Sequence, residues 1–483
     1  MNYKMMGHYI SLILAIEGVF MLPAMILSFA DGDDAEGRSF IYTIIIIAAV
    51  ACGLILLCRK PDKGFYAREG MVCVTLSWLL LSVAGCLPFC LSGAIPKFID
   101  AFFETVSGFT TTGATILTDV EALPRGLLYW RSFSHWLGGM GVLVFMLAIV
   151  PAGGRSGSTI HLMRAESTGP NVGKLVPKMR QTALILYILY IVLTIVNLLF
   201  LLFGGMPFFD AICTALGTAG TGGFGIKNDG MESYSPYIQG VCTVFMLLFG
   251  VNFTCYYLLL IGDVKSVLKN GELRMYLGVI AASTLLITLN IRGMYPSLFT
   301  SFHHAAFQVS SIITTTGFAT VNFDLWPSFS KAILLLLMVI GACAGSTGGG
   351  FKCGRVLLLF RAMRRSIHRT LRPQKVEVVQ ADGQIVDEEV IARTNAYLCA
   401  YVAMLGLSFL AVSIDGFSVT TNLSAVLSCI NNIGPGLETV GPIGNFSEYS
   451  AFSKAVLIFD MFAGRLELFP ILVLFSRSTW RRA

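Results

Sequence analysis

Long apolar runs alternate with short polar connections along the whole chain. The runs cover 9–29, 40–57, 72–91, 127–150, 183–203, 237–261, 276–291, 332–360, 396–414 and 452–475. A helix needs about 20 residues to cross the hydrocarbon core of a bilayer. Lipid also tolerates only segments whose backbone polar groups are satisfied internally. The pattern therefore predicts ten spanning helices, of which 332–360 alone is interrupted. Between some of them lie half-polar segments, too short to cross, that end in Thr- and Gly-rich turns.

Composition narrows the class. Of the 483 residues, 55% are hydrophobic and 13% charged, and the mean hydropathy is +0.74. A soluble domain carries about 25% charged residues, so the chain is expected to be an all-α polytopic membrane protein. The net charge of +6 then speaks of sidedness and not of nucleic acid. With the amino terminus in the cytoplasm, the inner connections hold 25 of the 34 Lys and Arg residues. These include Arg59, Lys60, Lys63 and Arg68; Arg155, Arg164, Lys174, Lys178 and Arg180; and Arg361, Arg364, Arg365, Arg369 and Arg372. The outer connections hold 8 basic against 15 acidic residues, among them Asp31, Asp33, Asp34 and Glu36. That is the positive-inside bias, and it excludes the mirror topology. The 12 cysteines, Cys52, Cys73, Cys242, Cys343 and Cys429 among them, lie mostly in apolar segments. They read as buried thiols and not as a disulfide framework. No small-residue cleavage site follows the first apolar run, which reads as a retained helix.

An internal repeat organises the rest. Four segments end in a glycine-centred turn: DAFFETVSGFTTTGAT with Gly113, DAICTALGTAGTGGFG with Gly223, HAAFQVSSIITTTGFAT with Gly317 and TNLSAVLSCINNIGPG with Gly434. Asp100 and Asp210 each stand 13 residues before their glycine, and the four glycines are 110, 94 and 117 residues apart. Each unit reads as helix, short re-entrant helix, turn, helix, with two extra helices in front. The expected divisions are 1–60 for the leading pair, then 61–165, 166–265, 266–385 and 386–483.

Irregular backbone at membrane depth must be buried in protein or line water. Four such turns meeting on one axis can replace the hydration shell of a monovalent cation with carbonyl oxygens. Glycine reaches the backbone angles required and leaves the path open. The short helices would point their negative ends at the axis. Two residues before the glycines stand Thr111, Thr221, Thr315 and Asn432, each with a side-chain oxygen to offer. None of the four turns carries a lysine or arginine, which an anion path is expected to have.

These turns resemble the four filter loops of the Trk/Ktr/HKT superfamily of cation transporters. The two leading helices, GACAGSTGGGFK and the terminal GRLELFP resemble its bacterial TrkH/TrkG branch, and the likeness covers essentially the whole chain. It implies a K⁺ filter of Thr111, Thr112 and Gly113; Thr221, Gly222 and Gly223; Thr315, Thr316 and Gly317; and Asn432, Ile433 and Gly434. The Thr221–Gly222 and Asn432–Ile433 steps depart from a uniform Thr–Thr and make the ring asymmetric. A sodium-preferring or Na⁺-coupled transporter of the same superfamily is the alternative. The likeness further implies potassium uptake at the bacterial inner membrane, a homodimer, a separate cytoplasmic TrkA-type nucleotide-binding subunit, and no organic cofactor in this chain. No nucleic acid is expected as a partner.

The interruption in 332–360 is the glycine-rich run Gly341, Ala342, Cys343, Ala344, Gly345, Ser346, Thr347, Gly348, Gly349 and Gly350. Each glycine costs a helix about 1 kcal/mol relative to alanine, so the helix breaks there. By resemblance this is an intramembrane gate below the filter. Lys352 after the glycines suggests a phosphate loop instead, but the Gly-Lys-Ser/Thr ending and a preceding strand are missing. Arg465, a charge inside a span, is expected to have a partner: Asp460, Glu467 or the carbonyl ends of the pore. It either limits how long cations dwell in the path or pins two helices. Glu17 reads as a hydrogen-bonded packing residue, and His303 and His304 as the start of the third short helix. Asp100, Glu104, Asp119, Glu121, Asp210, Asp229 and Asp324 either enrich cations at the outer mouth or are solvated loop charge. The basic stretch from Arg361 to Arg393 could hold anionic membrane lipid.

Two other classes fit less well. A solute transporter with a midplane site usually shows inverted repeats and two broken helices. A membrane enzyme needs a catalytic cluster, and none stands out.

Overall fold

The computed structural model describes residues 1–58, 67–141, 179–374, 377–382 and 384–480. Two elements precede the units. Tyr3–Phe20 continues through a kink at Met21 into Leu22–Ala30, and Asp34–Leu57 packs back against it. The side chains of Asn2 and Asp33 accept backbone N–H groups at the starts of Tyr3–Phe20 and Asp34–Leu57 and so cap them.

Four units follow, each with a long first helix: Ala67–Leu91, Met179–Phe203, Gly271–Ile291 and Glu388–Val412. A short helix comes next: Phe98–Phe109, Phe208–Gly220, Leu298–Ile313 or Val419–Asn431. At 12 to 16 residues these are about 18–24 Å long, too short to span. Each second helix starts at a proline or a capping serine: Pro124, Ser235 with Pro236, Pro327 and Ser450. Among the described residues the architecture is helical apart from two ladders of two residues per strand.

Among the described residues six helices are long and apolar enough to cross a membrane, the two leading elements and the first helix of each unit. The expectation that one second helix alone is interrupted is wrong. In unit 2, Pro236–Phe249 and Phe253–Leu260 meet at 88° across Gly250, Val251 and Asn252. In unit 3, Ser328–Val339 gives way to the loop at Ile340 and resumes as Cys353–Leu371. In unit 4, Ala451–Arg465 ends at Glu467 and Leu468, both at positive φ, before Phe469–Phe475. The apolar run was legible in each case. The glycine-rich break of unit 3 was legible too; the breaks of units 2 and 4 were not, because one glycine or arginine in an apolar stretch is compatible with a helix. In unit 1 the second helix, Arg125–Gly139, is followed to Gly141, and the remainder of the expected span lies outside the described residues. So do Arg59, Lys60, Lys63, Arg155, Arg164, Lys174 and Lys178, the side chain of Arg180, and the expected divisions at 60 and 165.

Five of the six long helices, all but Ala67–Leu91, lie mostly toward the periphery. Ile45, Ile46 and Val50 in the second leading helix, and Ile188, Ile195 and Phe203 in unit 2, face outward and exposed, as lipid-facing residues do. The short helices are the interior, with Ala101, Phe103, Val106 and Phe109, or Ala305, Phe307, Val309 and Ile312, fully buried. The expected basic loop is largely helix: Arg361, Arg364, Arg365 and Arg369 ride on Cys353–Leu371, and a hairpin pairing Gln380–Ala381 with Gln384–Ile385 follows. Eight of the twelve cysteines are buried and all are unbridged, but Cys52 and Cys399 are exposed, contrary to expectation.

Glu17 departs from its expected role. It is 1% exposed and neither carboxyl oxygen has a hydrogen-bond partner. It lies where the first helix of unit 1 crosses the short helix at Gly85, a position at which a Cβ would stand 2.7 Å from Phe109, 3.0 Å from Thr105 and 3.1 Å from Glu17 Oε1. Gly85→Val should overpack this crossing and cost about 1–3 kcal/mol, read as a lower unfolding temperature in detergent.

Candidate ion pathway

Each short helix ends in the same way. Thr111, Thr221, Thr315 and Asn432 take φ of 54°, 52°, 58° and 56°. The next N–H in each unit, from Thr112, Gly222, Thr316 or Ile433, reaches back to Ser107, Gly217, Ser311 or Ser428 at 2.8, 2.9, 2.8 and 2.9 Å. This is a Schellman closure, with threonine or asparagine where glycine is usual. Left-handed backbone at a non-glycine residue costs of order 1–3 kcal/mol and persists only where the surroundings enforce it. Two residues on, Gly113, Gly223, Gly317 and Gly434 again have positive φ.

The four glycines close a ring. A Cβ on Gly113 would strike the carbonyl oxygen of Gly222, one on Gly223 that of Thr316, one on Gly317 that of Ile433, and one on Gly434 that of Thr112. The units thus follow one another around a single axis in chain order, and each glycine lets the next unit's carbonyl approach. Above the ring a cavity of about 280 Å³ is lined by all four glycines together with Thr115, Phe318 and Pro435.

What stands behind each turn differs. In unit 1 the hydroxyls of Thr110 and Thr112 bond each other at 2.8 Å, and Thr314 and Thr316 do the same in unit 3. Asn432 Nδ2 donates to Thr112 Oγ1 at 3.0 Å and to the Met461 carbonyl at 2.9 Å, bolting unit 4 to unit 1. Unit 2 has glycine at both hydroxyl positions, Gly220 and Gly222; the buried imidazole of His135 lies against Gly222, and the His135 backbone carbonyl against Gly220. Its Nδ1 is 2.8 Å from the Gly108 carbonyl, and Nε2 accepts the Phe224 N–H at 3.3 Å. His135 was missed in the sequence because it sits in an apolar run of another unit. The four side-chain oxygens expected to act alike do not. Thr111 Oγ1 has no partner, Thr221 Oγ1 donates to Gly220 O at 2.7 Å, Thr315 Oγ1 accepts an N–H from the loop below, and Asn432 Oδ1 is unpartnered.

Several outer acidic residues are structural. Glu104 is 1% exposed and pairs with Arg131 at 2.6 Å. Its carboxylate also takes the Thr115 hydroxyl and the Ile116 N–H at 3.0 Å, while Arg131 donates to Gly225 O at 2.8 Å and stacks on Phe224. One buried pair therefore braces the chain leaving the turns of units 1 and 2. Asp100 pairs with Lys454 at 2.6 Å, and Asp210 accepts the Tyr234 hydroxyl at 3.0 Å. Asp324 is half-buried, whereas Glu121 takes the Asn228 N–H at 3.0 Å near the surface. Asp119 remains at the surface, its carboxyl held below the usual range by the Asn228 amide. Glu438 is lowered likewise by the Ser418 and Thr421 hydroxyls. His303 and His304 lie in the second turn of their helix, not at its start, against Gln239 Oε1 at 2.7 Å and Thr320 Oγ1 at 3.2 Å.

The loop 341–350 sits directly beneath the ring. Gly349 N–H donates to Thr315 Oγ1 at 2.7 Å, and a Cβ on Gly349 would stand 2.6 Å from Asn431 O. Its ends are clipped by a parallel ladder pairing Ile340 with Phe351 and Gly341 with Lys352. Its amides are taken: Cys343 N by Gly250 O at 3.1 Å, Ala344 N by Glu272 Oε1 at 2.7 Å, Thr347 N by Phe249 O at 3.4 Å. Lys352 Nζ folds back onto the carbonyls of Gly348 and Gly349. With these amides and the ammonium engaged internally, the phosphate-loop reading has no support. Glu272 and the unit-2 break, neither singled out in the sequence, are main anchors.

Arg465 finds carbonyl ends. It donates to Gly138 O, to Gly139 O at 2.7 Å and to Thr347 O at 2.9 Å, joining the end of the unit-1 second helix to the loop. Glu467 pairs instead with Arg355, and Asp460 accepts the Ser408 hydroxyl at 2.7 Å.

Comparison with known proteins gives one answer throughout. Residues 36–481 match the model of the family described as TrkH, cation transport protein. The Trk system potassium uptake protein TrkH of Salmonella typhimurium is 36% identical over 97% of each chain. TrkG of Escherichia coli K12 is 32% identical over 99% of each. The crystal structure of the potassium transporter TrkH from Vibrio parahaemolyticus superposes with a TM-score of 0.89 at 31% identity, covering 100% of both chains.

Removing one partner of a buried ion pair leaves an uncompensated charge, which costs about 3–5 kcal/mol. Glu104→Ala should therefore lower the unfolding temperature in detergent sharply, and the double variant Glu104→Ala/Arg131→Met should recover much of the loss.

Proposed function

The chain belongs to the TrkH family of cation transport proteins, a multi-pass membrane family, and on that premise we propose that it takes up potassium across the cytoplasmic membrane. The proposed filter is the ring of Thr111–Gly113, Thr221–Gly223, Thr315–Gly317 and Asn432–Gly434. The observation that carries this reading is the cyclic contact of the four glycines with the next unit's carbonyls. Oxygens so placed can substitute for the hydration shell of an alkali cation, and the cavity above the ring offers a hydrated approach. In this reading the chain divides into a leading pair, 1–60, and pore units 61–165, 166–265, 266–385 and 386–483. The amino terminus is cytoplasmic, two copies form a dimer, and a TrkA-type nucleotide-binding subunit docks on the inner face.

Loop 341–350 is the gate. It lies across the axis below the ring, hydrogen-bonded to Thr315 above and to Arg465 at its side. Arg465 holds it by tying Thr347 to the Gly138 and Gly139 carbonyls. Opening requires those bonds to part, so weakening them favours the open state.

Expression in a host lacking its own potassium systems should restore growth at low external K⁺. Gly113→Ser or Gly434→Ser should abolish the rescue, since a side chain there meets the Gly222 or Thr112 carbonyl. Ion-independent flux of an organic solute in liposomes would overturn the proposal. Hydrogen bonds from a charged donor are worth about 1.5–3 kcal/mol each, so Arg465→Ala should raise Rb⁺ flux tenfold or more. Unchanged flux per molecule with lower expression would assign Arg465 a purely structural role.

A further inference from the structure

We propose that His135 is the positioning residue of the unit-2 turn and sets its contribution to ion selectivity, a reading that rests on the ring acting as the filter. Units 1 and 3 stiffen their turns with a hydroxyl pair, Thr110 with Thr112 and Thr314 with Thr316. Unit 2 has glycine at both equivalent positions and no hydroxyl pair of its own. The missing volume is not empty. A Cβ on Gly222 would overlap the imidazole of His135, and a Cβ on Gly220 would overlap the His135 backbone carbonyl. The second helix of unit 1 therefore lies so close to turn 2 that its ring stands where a threonine side chain would be.

The imidazole also makes the connections. Because the Phe224 N–H needs an acceptor, Nε2 carries no proton, and Nδ1–H donates to the Gly108 carbonyl. Gly108 is in the last turn of the unit-1 short helix, and Phe224 follows Gly223. One ring thus fixes the spacing between turn 1 and turn 2 from the side away from the axis. The face of Phe224 is covered by Arg131, so the residue that receives His135 is clamped on a second side. A rigid turn fixes both the distance and the number of carbonyl oxygens offered to the ion, the quantities on which discrimination between K⁺ and Na⁺ rests. No other histidine in the chain touches a turn residue of the ring among the described residues.

The test is a size exchange, read as the ratio of Rb⁺ to Na⁺ flux in proteoliposomes. Gly222→Thr alone should lose flux, because the ring blocks the new side chain. His135→Ala alone should lower the ratio roughly tenfold, the usual effect of unmaking one or two buried hydrogen bonds. The double variant His135→Ala/Gly222→Thr should recover flux and most of the ratio, since threonine fills the vacated volume and restores a hydroxyl. Gly220→Thr should not be rescued by His135→Ala, because its obstacle is backbone. The double variant decides even if His135→Ala folds poorly. A double variant no better than Gly222→Thr, or a His135→Ala protein with wild-type flux and ratio, overturns the proposal. Absence of any Rb⁺ flux from the unsubstituted protein would instead defeat the potassium-uptake reading and not the role of His135.

Discussion

Main-chain polar groups at membrane depth have no water to turn to, and the architecture is organised around satisfying them. Four turns and one glycine-rich loop are irregular, and many of their polar groups are met from within the protein. The Schellman closures take the N–H groups of the turns. Phe249, Gly250, Glu272 and Thr315 take the amides of the loop, and Arg465 and Lys352 take its carbonyls. What is left facing the axis is the set of carbonyl oxygens whose approach the four glycines allow. Strain at Thr111, Thr221, Thr315 and Asn432 is sustained by this network.

The same constraint explains the division of labour among helices. The six long ones have little irregular backbone to satisfy, and all but Ala67–Leu91 leave most of their residues unburied and free to face lipid. The second helices of units 2, 3 and 4 break at the depth of the loop, and their breaks supply its anchors: Gly250 from unit 2, the loop itself from unit 3, Arg465 from unit 4. Unit 1 contributes the carbonyls of Gly138 and Gly139 to the same junction. Charge inside the protein is spent on these joints. Glu104 with Arg131 joins two helices of unit 1, and Arg355 with Glu467 joins a unit-3 helix to the unit-4 break.

Much of this was legible from residues alone. Apolar runs located every described helix long enough to span, and the spacing of Gly113, Gly223, Gly317 and Gly434 located the turns. The turns are local objects whose backbone needs are written in consecutive residues. The breaks near Gly250 and Arg465 were not legible, because a helix interrupted by tertiary hydrogen bonds has the same apolar sequence as a continuous one. Glu104 looked like a surface charge until Arg131, 27 residues away, was seen beside it. His135 and Glu272 carry no local signature, since their partners, Phe224, Ala344 and Gly354, are 72 to 89 residues distant.

The ring is made of three kinds of step in one polypeptide, TTTG twice, GTGG and NNIG. In a channel assembled from identical subunits any change at such a position appears on every wall at once. Here each wall can be altered singly, so that one quadrant can drift, stiffen or take a new chemistry while its neighbours stay as they are. Four units in one chain thereby open, if the ring is the filter proposed above, a graded route between ion preferences that a symmetric tetramer must cross in one leap.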